Sequence, residues 1–232
     1  WETIQVDGKP MRVYLGVPDR PGPHPGLLVA QHAGGVDAQI QDVVHRLFRQ
    51  GYVAAAPELF HRQPVDMDPG KRTGALLDKE ILADLNATIA HLKKLPEAVT
   101  PLGIVGFCMG GRVSYLAATA IAELKAAAVF YGGNIFKALG DGPSPFERSA
   151  GIQCPIIAFT GTDDANPSPD DMKKIDAELT RLNKPHEFHL YRNAGHAFQN
   201  FIAERYRERA SRASWTEMLA FFTEYLKRGS VK

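Results

Sequence analysis

The sequence predicts an α/β fold: a mostly parallel central sheet with helices on both faces and an antiparallel hairpin at the N-terminus. Short apolar runs at residues 27–30, 52–56 and 155–160 have the character of strands buried on both faces. Between such runs come stretches whose apolar residues recur at helical spacing. Asp7-Gly8, set between extended runs at residues 3–6 and 12–17, is a two-residue hairpin signal. Strands alternating with helices argue a parallel sheet, and in such sheets the chemistry sits at the carboxyl ends of the strands.

The elements follow in order. After the hairpin and a Pro/Gly loop at residues 18–25, the strand at 27–30 ends in Gln31-His32-Ala33-Gly34-Gly35, a loop with little side-chain bulk. Ile40, Val43, Val44, Leu47 and Phe48 mark a helix that Gly51 stops. The strand at 52–56 is closed by Pro57, and residues 58–74, polar and Pro-containing, predict an irregular lid or substrate loop. Ile81, Leu82, Leu85, Ile89 and Leu92 form the stripe of a helix ending near Pro96. A strand at 102–105, a glycine turn and a helix at 113–124 come next, then a strand at 127–131 ending in Gly132-Gly133-Asn134. Beyond a loop at 136–153, the strand at 155–160 delivers Gly161-Thr162-Asp163-Asp164. Met172, Ile175, Leu179 and Leu182 give a helix, residues 186–191 a strand ending in Asn193-Ala194-Gly195-His196, and Trp215, Met218, Leu219, Phe222 and Leu226 a C-terminal helix. No repeat, low-complexity tract or linker divides the chain, which predicts one domain over residues 1–232.

Composition narrows the function. A formal net charge of +1 gives no basis for binding nucleic acid or an acidic membrane. No apolar run approaches the roughly 20 residues that span a bilayer. Cys108 and Cys154 make neither a disulfide framework nor a metal-binding spacing. A thiol that must stay reduced predicts a reducing, cytoplasmic compartment. The chain opens at Trp1 rather than Met, which predicts that something upstream has been removed, a signal peptide being one candidate. The expected partner is a small molecule, and the expected assembly a monomer or weak homodimer.

The stretch that carries chemistry is Gly106-Phe107-Cys108-Met109-Gly110-Gly111. A strand enters it and a helix leaves it, with a thiol at the apex. G-x-nucleophile-x-G is the nucleophile elbow of the α/β-hydrolase fold, here with Cys in place of Ser. A phosphate loop would need Lys and Ser or Thr after its last glycine, and Arg112-Val113 follow instead. Beyond later strands stand a carboxylate (Asp163 or Asp164) and His196, in the chain order nucleophile, acid, histidine. Cys108 would attack an acyl carbon as thiolate, His196 would carry the proton, and the carboxylate would fix the imidazole tautomer. The Met109 N–H and an N–H of the loop after the first buried strand, Ala33, would hold the oxyanion. Cys154 lies at a strand entrance, the wrong end for chemistry. The rival readings are a non-catalytic binding relative and a peroxide-sensitive thiol protein.

These residues resemble the dienelactone hydrolase family, which uses a Cys nucleophile. The match runs through Gly106-Phe107-Cys108-Met109-Gly110-Gly111-Arg112, Tyr131-Gly132-Gly133, Gly161-Thr162-Asp163-Asp164 with Asn166-Pro167, and Asn193-Ala194-Gly195-His196-Ala197-Phe198. It also includes Gly51-Tyr52-Val53 and Ala56-Pro57-Glu58-Leu59-Phe60, and so covers nearly the whole chain. The resemblance implies an α/β-hydrolase without a cofactor or metal that opens an ester or lactone through an acyl-cysteine. It selects Asp164 as the acid by the spacing G-x-x-D, whereas a register one residue shorter selects Asp163. His32, Arg72 and Tyr131 are the expected substrate-binding positions. The chain departs from the family at three positions, one of them Ala197, where a hydroxyl is common. His32 stands where a Glu interacts with the resting thiol, and Asn200 where an Arg meets a substrate carboxylate, though Lys71 or Arg72 could supply a charge. The expected substrate is therefore an ester or lactone other than the small anionic dienelactone.

Overall fold

Asp7 and Gly8 take φ values of 49° and 75°, the left-handed pair a two-residue hairpin turn requires. β1 (Glu2–Val6) thereby folds back on β2 (Lys9–Gly16). In this computed structural model, which describes residues 1–97 and 99–228, β2 also pairs antiparallel with β4 (Val53–Pro57). From there the sheet is parallel: β4 beside β3 (Gly26–Ala30), then β5 (Leu102–Phe107), β6 (Leu124–Phe130), β7 (Ile156–Gly161) and β8 (His186–Tyr191). The eight strands run in the order β1-β2-β4-β3-β5-β6-β7-β8.

Both faces are covered, as the unbroken apolar strands require. Alternate strand residues divide between two cores. Leu28, Ala30 and Ile104 pack with α3 (Asp78–Leu92), α4 (Met109–Ala120) and α5 (Pro169–Arg181) through Ile81, Leu116 and Ile175. Leu27, Val29 and Val105 pack with α1 (Ala38–Arg49) and α6 (Glu208–Phe222) through Ile40, Val44, Met218 and Phe222. The chain between β4 and α3 contains a short helix, α2 (Pro69–Arg72), capped by Asp68, followed by a 3-10 turn at Thr73–Ala75. No helix among the described residues is long and apolar enough to cross a membrane.

The helix after the elbow departs from its expected bounds of 113–124. It begins at Met109, because Gly110 is a helical residue rather than part of a loop. A Cβ on Gly110 would lie 2.1 Å from the Ala30 oxygen, so a glycine is what allows α4 to press on the end of β3. The helix ends at Ala120, where Ile121 turns extended (φ −109°, ψ 94°), and Leu124 pairs with Leu102 as the first residue of β6.

α4 is tied down from its first turn. Arg112 grips Asp78 through both oxygens, at 2.6 and 3.0 Å, and donates to the Asn134 and Lys137 carbonyls at 3.2 and 2.6 Å. Asp78 in turn accepts the Leu139 N–H. Both side chains are almost wholly out of water (3% and 5% exposed). Removing one member strands the other charge, so Asp78→Ala should cost about 3–5 kcal/mol in urea unfolding. A loss below about 1 kcal/mol would show that the pair is not what holds the chain after β6 against α4.

Candidate active site

Cys108 sits between β5 and α4 at φ 58° and ψ −117°, a region that side chains other than glycine seldom occupy. The turn is held by the Cys108 N–H on the Phe130 oxygen (3.0 Å) and by the Gly111 N–H on the Cys108 oxygen (2.9 Å). Strain of this kind costs of order 1–3 kcal/mol and persists only where surrounding contacts over-determine it. It lifts the thiol above the sheet's carboxyl edge and points it toward His196.

His196 follows β8 in a loop that closes against the end of β7. A Cβ on Gly161 would stand 1.9 Å from the Ala194 oxygen, so the bare backbone lets the two segments touch. That contact brings Asp164 to the imidazole, with both carboxylate oxygens near Nδ1, at 3.2 and 3.1 Å. Asp164 is buried and also accepts the Asn166 N–H at 2.9 Å. Asp163 points outward and accepts from its neighbour Thr162. The structure thus places Asp164, not Asp163, against His196.

With Nδ1 on Asp164, Nε2 is the nitrogen left for the sulfur. Burial pushes the Cys108 thiol up, but hydrogen bonding and charge from His196 outweigh it, with the N–H groups of Met109 and Ala33 adding to the same side. The net value lies below that of an ordinary thiol. Burial alone would lower His196, yet Asp164 and then Cys108 hold its proton, and its pKa is raised to about 10. Both shifts favour a thiolate–imidazolium pair. Cys154 is the opposite case: burial lifts its thiol to about 11, a protonated and unreactive group.

The other expected positions fare differently. The Tyr131 ring is fully buried, edge-on to His196 with centroids 5.2 Å apart. It supports the imidazole from below and lines no cleft found at the site. Arg72 borders a cleft of about 360 Å³ shared with Gln31, Gly34, Phe60 and Gln63. Its guanidinium donates to the Val65 and Met67 carbonyls, at 2.8 and 3.4 Å. His32 is turned into its own loop, where Nδ1 accepts the Gly34 N–H and Nε2 lies 2.9 Å from Asp37 Oδ2. A second cleft, about 430 Å³, opens beside Asp164 and His196 and carries Arg205 and Arg207. Among the described residues no group of three or more His, Cys, Asp or Glu side chains could hold a metal ion.

Sequence reading passed over two supporting residues. The Gln31 side chain accepts the buried Leu59 N–H at 3.1 Å, tying the loop after β3 to the one after β4. The Asn166 side chain accepts the Asn134 N–H at 3.0 Å, joining the acid's loop to the one after β6. Gln31 was visible only as one member of a small-residue loop. Asn166 was visible as part of a motif without a role.

Strand order and elbow define the α/β-hydrolase fold. Within it the chain belongs to the dienelactone hydrolase family, whose sequence model matches residues 11–226. A provisionally named carboxymethylenebutenolidase of Synechocystis sp. is 34% identical, with 97% of this chain and 94% of that protein covered. A Bradyrhizobium sp. protein, provisionally named a 2-oxo-3-(5-oxofuran-2-ylidene)propanoate lactonase, is 29% identical over 97% of this chain and 94% of its own. The crystal structure of a provisionally named dienelactone hydrolase from Klebsiella pneumoniae superposes with a TM-score of 0.89 at 31% identity, covering 96% of this chain and 97% of that one.

The electrostatics generate a direct test. His196→Ala removes the groups' main counterweight to burial, so the Cys108 thiol should titrate at higher pH than in the parent protein. The pH dependence of thiolate absorbance near 240 nm, or of alkylation by iodoacetamide, reads this. An unshifted titration would separate the sulfur from His196.

Proposed function

We propose that this protein is a carboxylic-ester or lactone hydrolase acting through an acyl-cysteine on Cys108, with His196 and Asp164 completing the triad. The observation that carries the reading is the convergence on one sulfur of an imidazole backed by a buried carboxylate and of two backbone N–H groups. The names borne by the Synechocystis and Bradyrhizobium relatives support lactone opening. One sheet with continuous cores on both faces supports treating residues 1–232 as one catalytic domain.

The reaction follows from the geometry. The Cys108 thiolate adds to the acyl carbon, and the carbonyl electron pair moves to oxygen, where the Met109 and Ala33 N–H groups receive it. Collapse breaks the ester C–O bond, and the Nε2 proton of His196 goes to the departing alkoxide. Neutral His196 then takes a proton from water as the water oxygen attacks the thioester. Collapse of the second tetrahedral intermediate returns the sulfur as thiolate beside the imidazolium. Asp164 stays ionised, holding Nδ1–H and stabilising the cation.

The proposed substrate is an ester or lactone other than the small anionic dienelactone. Two Arg72 N–H groups are taken by carbonyls of its own loop, His32 Nδ1 accepts the Gly34 N–H, and the Asn200 side chain accepts the Ile202 N–H. The cations of the cleft beside His196 are Arg205 and Arg207.

Four outcomes are expected. p-Nitrophenyl acetate and butyrate should be turned over by the parent and not by Cys108→Ala, and quenched reactions with a lactone panel should show the acyl mass on Cys108. Turnover in Cys108→Ala, or rapid sulfenic acid formation on Cys108 without any turnover, would defeat the reading. Asp164→Ala should lower kcat by about 10²–10⁴-fold, toward the loss seen when a triad imidazole loses its acid, while Asp163→Ala stays near the parent. The pH profile of kcat/KM should rise as the depressed Cys108 thiol ionises and fall as His196 loses its proton near 10. For the anionic dienelactone, kcat/KM should stay below about 10⁴ per molar per second.

A further inference from the structure

We propose that His32 is a positioning residue for the oxyanion site: it locks the loop of residues 32–37 so that the Ala33 N–H is presented to the Cys108 sulfur. This rests on the acyl-cysteine reading above and adds to it a role for the residue that departs from the family pattern.

Ala33 cannot hold itself in place. It is exposed and has only a methyl side chain, so the direction of its N–H depends on the residues on either side. Those residues are bonded to each other across it. His32 Nδ1 accepts the Gly34 N–H at 3.1 Å, which makes Nδ1 the unprotonated nitrogen and puts the ring proton on Nε2. Nε2 stands 2.9 Å from Asp37 Oδ2. The other oxygen of Asp37 accepts the Gln39 and Ile40 N–H groups at 3.0 and 3.2 Å, capping α1. The imidazole therefore accepts from one loop step and, through Nε2, stands in close polar contact with the residue that caps a twelve-residue helix. The backbone closes the same turn, with the Gly35 N–H on the His32 oxygen at 3.0 Å.

The ring also occupies the space where a side chain on residue 34 would go. A Cβ on Gly34 would meet His32 Cε1 at 2.5 Å. Ring and glycine fit each other, and the loop has little room to adopt another path. Ala33 sits between these two contacts, and its N–H is one of the groups that favour the Cys108 thiolate. The Gln31 side chain fixes the preceding residue through the Leu59 N–H. The segment is thus anchored before, across and after the donor, and the His32 ring supplies the two anchors nearest to it. His32 acts through Ala33 and touches neither sulfur nor substrate.

A purely structural staple would lower stability and leave the sulfur unchanged, so the test reads the sulfur. His32→Phe keeps a ring over Gly34 but removes the acceptor, whereas His32→Asn restores an acceptor able to take the N–H two residues on. In His32→Phe the Cys108 thiol should titrate at higher pH than in the parent, by 240 nm absorbance. Its kcat on p-nitrophenyl acetate should fall about 10²-fold or more, the scale of losing one oxyanion donor, with KM within about threefold. His32→Asn should recover kcat to within about tenfold of the parent, with the thiol titration moving back alongside it. A folded His32→Phe protein with parental thiol titration and kcat would overturn the positioning role alone. Turnover surviving in Cys108→Ala would overturn the acyl-cysteine reading beneath it.

Discussion

The site depends on keeping negative charge on a sulfur that is mostly out of water. Burial alone drives Cys108 toward the neutral thiol, and so does the loss of bulk solvent around it. What opposes burial comes from separate parts of the chain: an imidazolium after β8, an N–H at the start of α4 and an N–H from the loop after β3. Of these groups only the Met109 N–H is next to Cys108 in the chain. The fold's task is to bring them together at one edge of the sheet. The parallel strands do this because their carboxyl ends align.

Much of the remaining structure resists relaxation of that arrangement. The left-handed backbone at Cys108 would relax if α4 could move, and α4 is held by Arg112 on Asp78 and on the carbonyls after β6. The Asp164 loop is held by Asn166 on the Asn134 N–H, and so shares an anchor segment with Arg112. Nucleophile and acid are therefore referenced to the same stretch of chain. A displacement there would disturb both sides of His196 together.

The architecture was legible because buried parallel strands leave unmistakable apolar runs, and the hairpin because Asp7-Gly8 has a single common use. The positions of Cys108 and His196 were legible because both follow such runs directly. The choice between Asp163 and Asp164 was not legible from the residues alone, since adjacent side chains differ only in which way the backbone turns them. That direction is set by the close approach of Gly161 to Ala194, a tertiary contact. The start of α4 was misplaced for a related reason: Gly110 reads locally as a turn, yet contact with the Ala30 oxygen demands glycine within the helix. Position along the chain does not reveal the burial of Tyr131 against His196 or the bonds of the Arg72 guanidinium to nearby carbonyls.

His32 shows how a changed residue type can preserve a loop while changing its electrostatics. A carboxylate next to the elbow would place a second anion near the sulfur and oppose its ionisation. The imidazole accepts through Nδ1 and turns Nε2 toward Asp37, 2.9 Å from Oδ2. Asp37 is an anion, but it is held below the usual carboxylate range by His32 and by the α1 N–H groups, against the upward push of burial. Its charge is thus engaged by a helix N-terminus rather than left facing the thiol. The loop contributes an N–H to the sulfur and no carboxylate of its own. Ionisation of Cys108 is left to His196.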